Sequence, residues 1–98
     1  MPRHKITLKP VAVCDIDRLR KYDATRVLDG IEKHLTHEPT KESKSRIKRL
    51  RGITNPDYRL RIGVYRVFYT VDLSDRQVDV LRVMHKHETE QYYEELQR

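Results

Sequence analysis

The sequence predicts an α+β domain in which helices cover one face of a twisted antiparallel sheet. Three observations lead there. Residues Asp57 to Asp72 alternate apolar and polar side chains on both sides of Gly63, the pattern of two half-buried strands joined by a tight turn. Upstream, Val27, Leu28, Ile31 and Leu35 recur at helical spacing. The chain has 98 residues, 37 % of them hydrophobic and 37 % charged, enough for one lean core under a crowded charged surface. A single domain spanning residues 1–98 is expected.

Taken in order, Lys5 to Leu8 alternate and are closed off by Pro10, which predicts a short first strand. Val13, Ile16 and Leu19 then open a helical pattern that breaks near Tyr22-Asp23 and resumes with Val27. Asp23 is the expected N-cap of the second helix and Pro39 its stop, giving a two-helix hairpin or one bent helix. His34 and His37 fall at the end of that helix, where imidazoles suit the terminal carbonyls. Gly30 sits mid-helix at a cost of up to about 1 kcal/mol relative to alanine, so close packing is expected there.

A basic connector follows, with a strand near Ile47–Leu50 and a Gly/Asn/Pro loop from Gly52 to Asp57. Tyr58–Ile62, Val64–Asp72 and Gln77–Met84 read as strands, with turns at Gly63 and at Leu73-Ser74-Asp75-Arg76. Such short connections predict antiparallel neighbours, about four strands in all. Thr89 to Gln97 reads as a glutamate-rich helix carrying Tyr92, Tyr93 and Leu96. With helices on one face, the other face of the sheet is left free to act.

The charge is unevenly placed. Residues 41–66 hold nine basic and two acidic side chains, whereas residues 67–98 are net acidic. A basic tract this dense favours a polyanion, with Lys44, Arg46, Lys48, Arg49 and Arg51 as candidate RNA contacts. One cysteine, Cys14, excludes an internal disulfide and is expected to pack structurally on an apolar helix face. No apolar run approaches the roughly 20 residues of a membrane span, so a cytoplasmic protein with no membrane partner is expected.

Arg59, Arg61 and Arg66 ride on the central strands, held at fixed spacing. They either grip consecutive phosphates or lie along the sheet and pair with the acidic C-terminal helix. His85 and His87 are two residues apart and would share a side of an extended strand, as a proton shuttle or as solvated strand-end groups. No Cys, Asp or Glu set completes a metal site around them, and neither metal nor cofactor is expected.

The stretch Leu50-Arg51-Gly52, the segment Tyr58-Arg59-Leu60-Arg61-Ile62-Gly63-Val64-Tyr65-Arg66-Val67-Phe68-Tyr69, and Val78 to Val83 with His85-Lys86-His87 and Tyr92 resemble the RelE/ParE superfamily of type II toxin–antitoxin toxins. The resemblance covers most of the chain. It implies a toxin neutralised by a cognate antitoxin, closer to the RelE branch, whose members cut mRNA, usually in the ribosomal A site. The alternative branch, ParE, poisons DNA gyrase by binding, and a degenerate, inactive toxin is a third reading. Carried over, the resemblance implies catalytic roles for Arg59, Arg61, Arg66, Lys86 and Tyr92, with His85 and His87 as further proton-transfer candidates. RelE-like chains often end the last strand with Gly-(Lys/His)-Arg; here it reads Met84-His85-Lys86-His87.

Overall fold

A computed structural model describes residues 3–97. The chain forms β1 (Lys5–Leu8), α1 (Pro10–Asp17), α2 (Lys21–Leu35), β2 (Ile47–Arg49), β3 (Tyr58–Ile62), β4 (Tyr65–Asp72) and β5 (Gln77–His85). A 3₁₀ turn, Lys86–Glu88, then leads into α3 (Thr89–Leu96). The α+β architecture is as expected, but the sheet has five strands, in the order β1-β5-β4-β3-β2, and it is mixed. β1 lies parallel to β5, with Lys5 opposite Gln77 and Leu8 opposite Val80. This pairing spans about seventy residues and involves no turn, so local sequence carries no sign of it.

Pro10 occupies the first turn of α1, where its missing N–H costs nothing. The break between helices falls at residues 18–20, earlier than the Tyr22-Asp23 expected, because Arg20 takes an extended conformation before α2. Asp23 is therefore not a cap. It lies in the first turn of α2 and accepts a hydrogen bond from the Tyr65 hydroxyl at 3.0 Å. Ala12, Ile16, Val27, Ile31 and Leu35 are buried, whereas Val13 and Leu28, each 41 % exposed, fall off the buried stripe. Cys14 is exposed as well, contrary to the structural packing expected of it. His34 lies in the last turn of α2, its imidazole held below the usual range by burial first, then by Arg46 and Lys33.

The two faces of the sheet carry separate apolar clusters. On the helix side, Tyr58, Leu60, Ile62, Val67, Tyr69, Val78, Val80 and Val83 pack against α1 and α2. On the other side, Phe68, Met84 and Tyr92 form a small second cluster with Leu50, Tyr93 and Leu96 at its margin. That face is thus not free, as the sequence suggested, because α3 covers part of it.

Gly30 brings α2 down onto β3. A β-carbon there would lie 2.6 Å from Ile62 Cδ1 and 2.9 Å from its Cγ1. Gly30→Ala is therefore expected to destabilise the fold by about 1–3 kcal/mol in chemical denaturation, despite alanine's better helix propensity. Gly63, at φ 58, makes the tight turn between β3 and β4.

Candidate nucleic-acid interface

The alternation in β3 is complete: Tyr58, Leu60 and Ile62 are buried, and the two arginines between them face the opposite side. Cross-strand register then assembles the cations. Lys48 on β2 lies opposite Arg59, and Arg59 lies opposite Phe68 on β4. One pair along, Arg61 lies opposite Arg66, and Arg66 opposite Met84 on β5. Directly opposed residues have β-carbons about 5 Å apart, close enough for like charges to repel.

Among the described residues, none of Arg59, Arg61 or Arg66 is in an ion pair, so the acidic C-terminal helix does not neutralise them. Arg66 donates from Nη1 to the carbonyls of Gly63 and Tyr65, both at 3.0 Å, which fastens its guanidinium over the β3–β4 turn. Its pKa is lowered by burial first, then by Arg59 and Arg61, while the Tyr93 phenol acts in the opposite sense. Arg59 Nε is buried with no hydrogen-bond partner. A buried donor left unsatisfied costs about 1–3 kcal/mol. Together the three guanidiniums leave this face with positive charge that no carboxylate among the described residues offsets.

The structure separates the other candidates. Tyr92 is only 9 % exposed and packs edge-to-face on Phe68 at 4.8 Å between ring centroids, so it is chiefly a core residue of this face. Burial raises its pKa, against the opposing pull of Arg82, whose guanidinium carbon sits 5.5 Å above the ring. Tyr93 is half-buried and packs edge-to-face on Phe68 at 5.7 Å between ring centroids. His85 lies opposite Tyr65, with their rings 5.9 Å apart, which puts it on the helix side of the sheet, away from the arginines. The strand ends at His85, so His87 does not continue the alternation. It stacks on His85 at 4.6 Å from within the 3₁₀ turn. Lys86 is exposed at the start of that turn, its N–H bonded to the carbonyl of Val64 at 2.8 Å.

Of the basic connector, Lys48 shares the arginine face, whereas Arg46 lies beside His34 at the end of α2 and donates from Nη1 to the Arg61 carbonyl at 3.1 Å. Arg49 turns to the helix side, over the Tyr58 ring at 5.7 Å. Lys44, Lys48, Arg49 and Arg51 line an open cleft of about 430 Å³ at the β2 edge. Among the described residues, no three His, Cys, Asp or Glu side chains are grouped to hold a metal ion. Nor is any helix long and apolar enough to cross a membrane.

Arg82 was not singled out in the sequence. It shares the face with Arg59 but is tied to Asp15 of α1, from Nε at 2.8 Å and from Nη2 at 3.2 Å. That hydrogen-bonded carboxylate is the first cause of its raised pKa. It is a structural arginine.

Asp57, at the entrance to β3, has its Oδ1 buried without a partner, and burial raises its pKa. The fold therefore favours the neutral carboxyl. That contribution is complete below the unfolded-state value of about 3.9 and is lost as pH rises through the higher folded value. Asp57→Asn is expected to raise the melting temperature at neutral pH, with the gain shrinking towards about pH 3 in thermal scans.

Comparison with known proteins agrees with this architecture. A family model described as the ParE toxin of type II toxin–antitoxin systems, parDE, matches residues 6–90. The chain belongs to this family. Among solved structures, this ParE-family chain is similar to the toxin–antitoxin complex RelBE2 from Mycobacterium tuberculosis, at 25 % identity and TM-score 0.71, covering 85 % of this chain and 98 % of that one. It is also similar to the archaeal RelE–RelB complex from Pyrococcus horikoshii, at 27 % identity and TM-score 0.65, with 86 % and 96 % covered. The RelB–RelE complex from Methanococcus jannaschii shares the fold, at 22 % identity and TM-score 0.64, with 88 % and 96 % covered. Comparison with curated proteins gives no significant match.

Proposed function

We propose that this toxin is a metal-independent endoribonuclease that cuts mRNA in the ribosomal A site and is held inactive by a cognate antitoxin. The observation that carries the reading is the grouping of Arg59, Arg61 and Arg66 on one face without carboxylate partners. In such a reaction the ribose 2′-oxygen loses its proton and bonds to phosphorus, and the 5′-oxygen leaves with a proton. Charge accumulates on the phosphoryl oxygens between these events. Fixed guanidiniums stabilise it through charge-assisted, partly bidentate hydrogen bonds, and each is worth a few kcal/mol of barrier.

In this reading Tyr93, half-buried at the margin of the apolar cluster on the arginine face, stacks on a substrate base, a contact worth about 1–3 kcal/mol in single-stranded recognition. Proton transfer falls to Lys86, His87 or Tyr93. Tyr92 and His85 support the site from the core and from the far face. The antitoxin partner is supported by the similarity to toxins solved together with their antitoxins.

A second reading, binding to DNA gyrase without cutting, is favoured by the description of the matching family model. Brief expression followed by primer-extension mapping separates the two. Discrete breaks within coding regions, absent from an Arg66→Ala strain, support the ribonuclease. Intact transcripts together with loss of gyrase supercoiling activity in vitro would replace it with the second reading.

A further inference from the structure

The 3₁₀ turn between β5 and α3 has a feature that neither reading of the toxin uses. α3 is held to the sheet by a small apolar cluster, in which Tyr92 meets Phe68 and Met84. Among the described residues it makes no hydrogen bond or ion pair to the sheet. Beyond that cluster and the Arg82 guanidinium over the Tyr92 ring, its attachment depends on how firmly its N-terminal side is anchored.

That anchor is a capping box built on an imidazole. His85 Nδ1 accepts the main-chain N–H of His87 at 3.2 Å, and the N–H of His85 donates to Glu88 Oε1 at 3.1 Å. Thr89 continues the clasp by donating from its hydroxyl to the carbonyl of Lys86 at 2.9 Å. The usual capping side chains, Ser, Thr, Asp and Asn, do not change state near neutral pH. Imidazole does, and it accepts at Nδ1 only while that nitrogen is unprotonated.

We infer that His85 is a positioning residue that clasps α3 over the arginine face in its neutral form and releases it on protonation. A proton on Nδ1 removes the acceptor for His87 N–H and places a charge in a ring stacked 4.6 Å from a second imidazole. The groups facing the pair are Lys86 and Glu88 of the turn itself, Glu90, Glu94 and Glu95 of α3, which line a cleft with His87, Tyr65 of β4, and Asp23 of α2 through the Tyr65 hydroxyl. The Glu88 carboxylate is already engaged by the His85 N–H, and the Asp23 carboxylate by Tyr65. Neither is free to take the released His87 N–H, and the α3 glutamates of the cleft do not accept from it in this structure. Loosening of α3 draws Tyr92 and Tyr93 off this face and uncovers Phe68 and Met84.

Amide exchange across residues 89–97 tests this on the whole free protein, without RNA, so the outcome is independent of the ribonuclease reading. After correction for intrinsic rates, wild-type protection is expected to fall about five- to tenfold between about pH 7.5 and about pH 5.5, the scale of one lost cap. His85→Asn caps without titrating and is expected to hold its protection within about twofold over that range. His85→Ala is expected to be low at both. Wild-type protection that is unchanged on acidification, or a His85→Asn protein that loses as much as wild type, overturns the inference.

Discussion

Replacing Arg66 with alanine is expected to slow transcript cleavage by about 10²- to 10³-fold, the usual cost of deleting one fixed donor aimed at developing charge. The variant should still fold. Arg66 hangs from two carbonyls of its own turn and contributes nothing to either apolar cluster, so thermal unfolding should shift by only a few degrees. Arg66→Lys keeps the charge but cannot donate to the turn carbonyls and to a phosphate in the same fixed plane. Recovery should be partial, leaving cleavage about tenfold below wild type. Single-turnover cleavage of a defined message, with melting curves on the same preparations, measures both. A Lys variant as active as wild type would show that only net charge matters at this position. An alanine variant that still cuts would remove Arg66 from the chemistry.

The reason this site was legible from sequence is the regularity of β3. Tyr58-Arg59-Leu60-Arg61-Ile62 alternates without a break, and a period of two commits both arginines to the face opposite the core. The turn at Gly63 fixes the register that sets Arg61 against Arg66. Local chemistry ends there. Which tyrosine meets the arginines depends on the rotation of a two-turn helix, and adjacent residues on a helix point about 100° apart. Tyr92 is turned into the apolar cluster on this face, and Tyr93 is left half-buried at its margin. The 3₁₀ turn has a comparable effect on the histidines. By ending β5 at His85 it breaks the alternation that would have set His85 and His87 side by side along a strand, while their rings still meet by stacking. The parallel pairing of β1 and the partner of Arg82 are long-range facts, and short-range patterns in the sequence cannot encode them.

That hidden partner supplies the largest stability effect expected in the molecule. β1 pairs with β5 only as far as Val80, so beyond it the outer edge of β5 faces α1 instead of a strand. A register shift between Phe68 and Tyr69 leaves Leu81, the neighbour of Arg82, without a partner on β4. Asp15 closes the outer edge. Its carboxylate, 8 % exposed, accepts from Arg82 Nε and Nη2 and from the Val83 N–H at 2.9 Å. Asp15→Ala leaves a partly buried guanidinium and a buried main-chain donor unpaired together, and about 3–5 kcal/mol of stability should be lost in urea or guanidinium unfolding. Asp15→Asn keeps an acceptor for one of those donors and should lose less, about 1–3 kcal/mol. If the loss comes from stranding the cation, Arg82→Met in the Asp15→Ala background should restore part of it, because no charge is then left without a partner. A double variant no more stable than Asp15→Ala would assign the effect to the Val83 N–H instead. Because Arg82 also caps the Tyr92 ring, the Asp15→Ala change should reach α3 and lower its exchange protection at all pH values. That separates it from protonation of His85, which acts only on acidification.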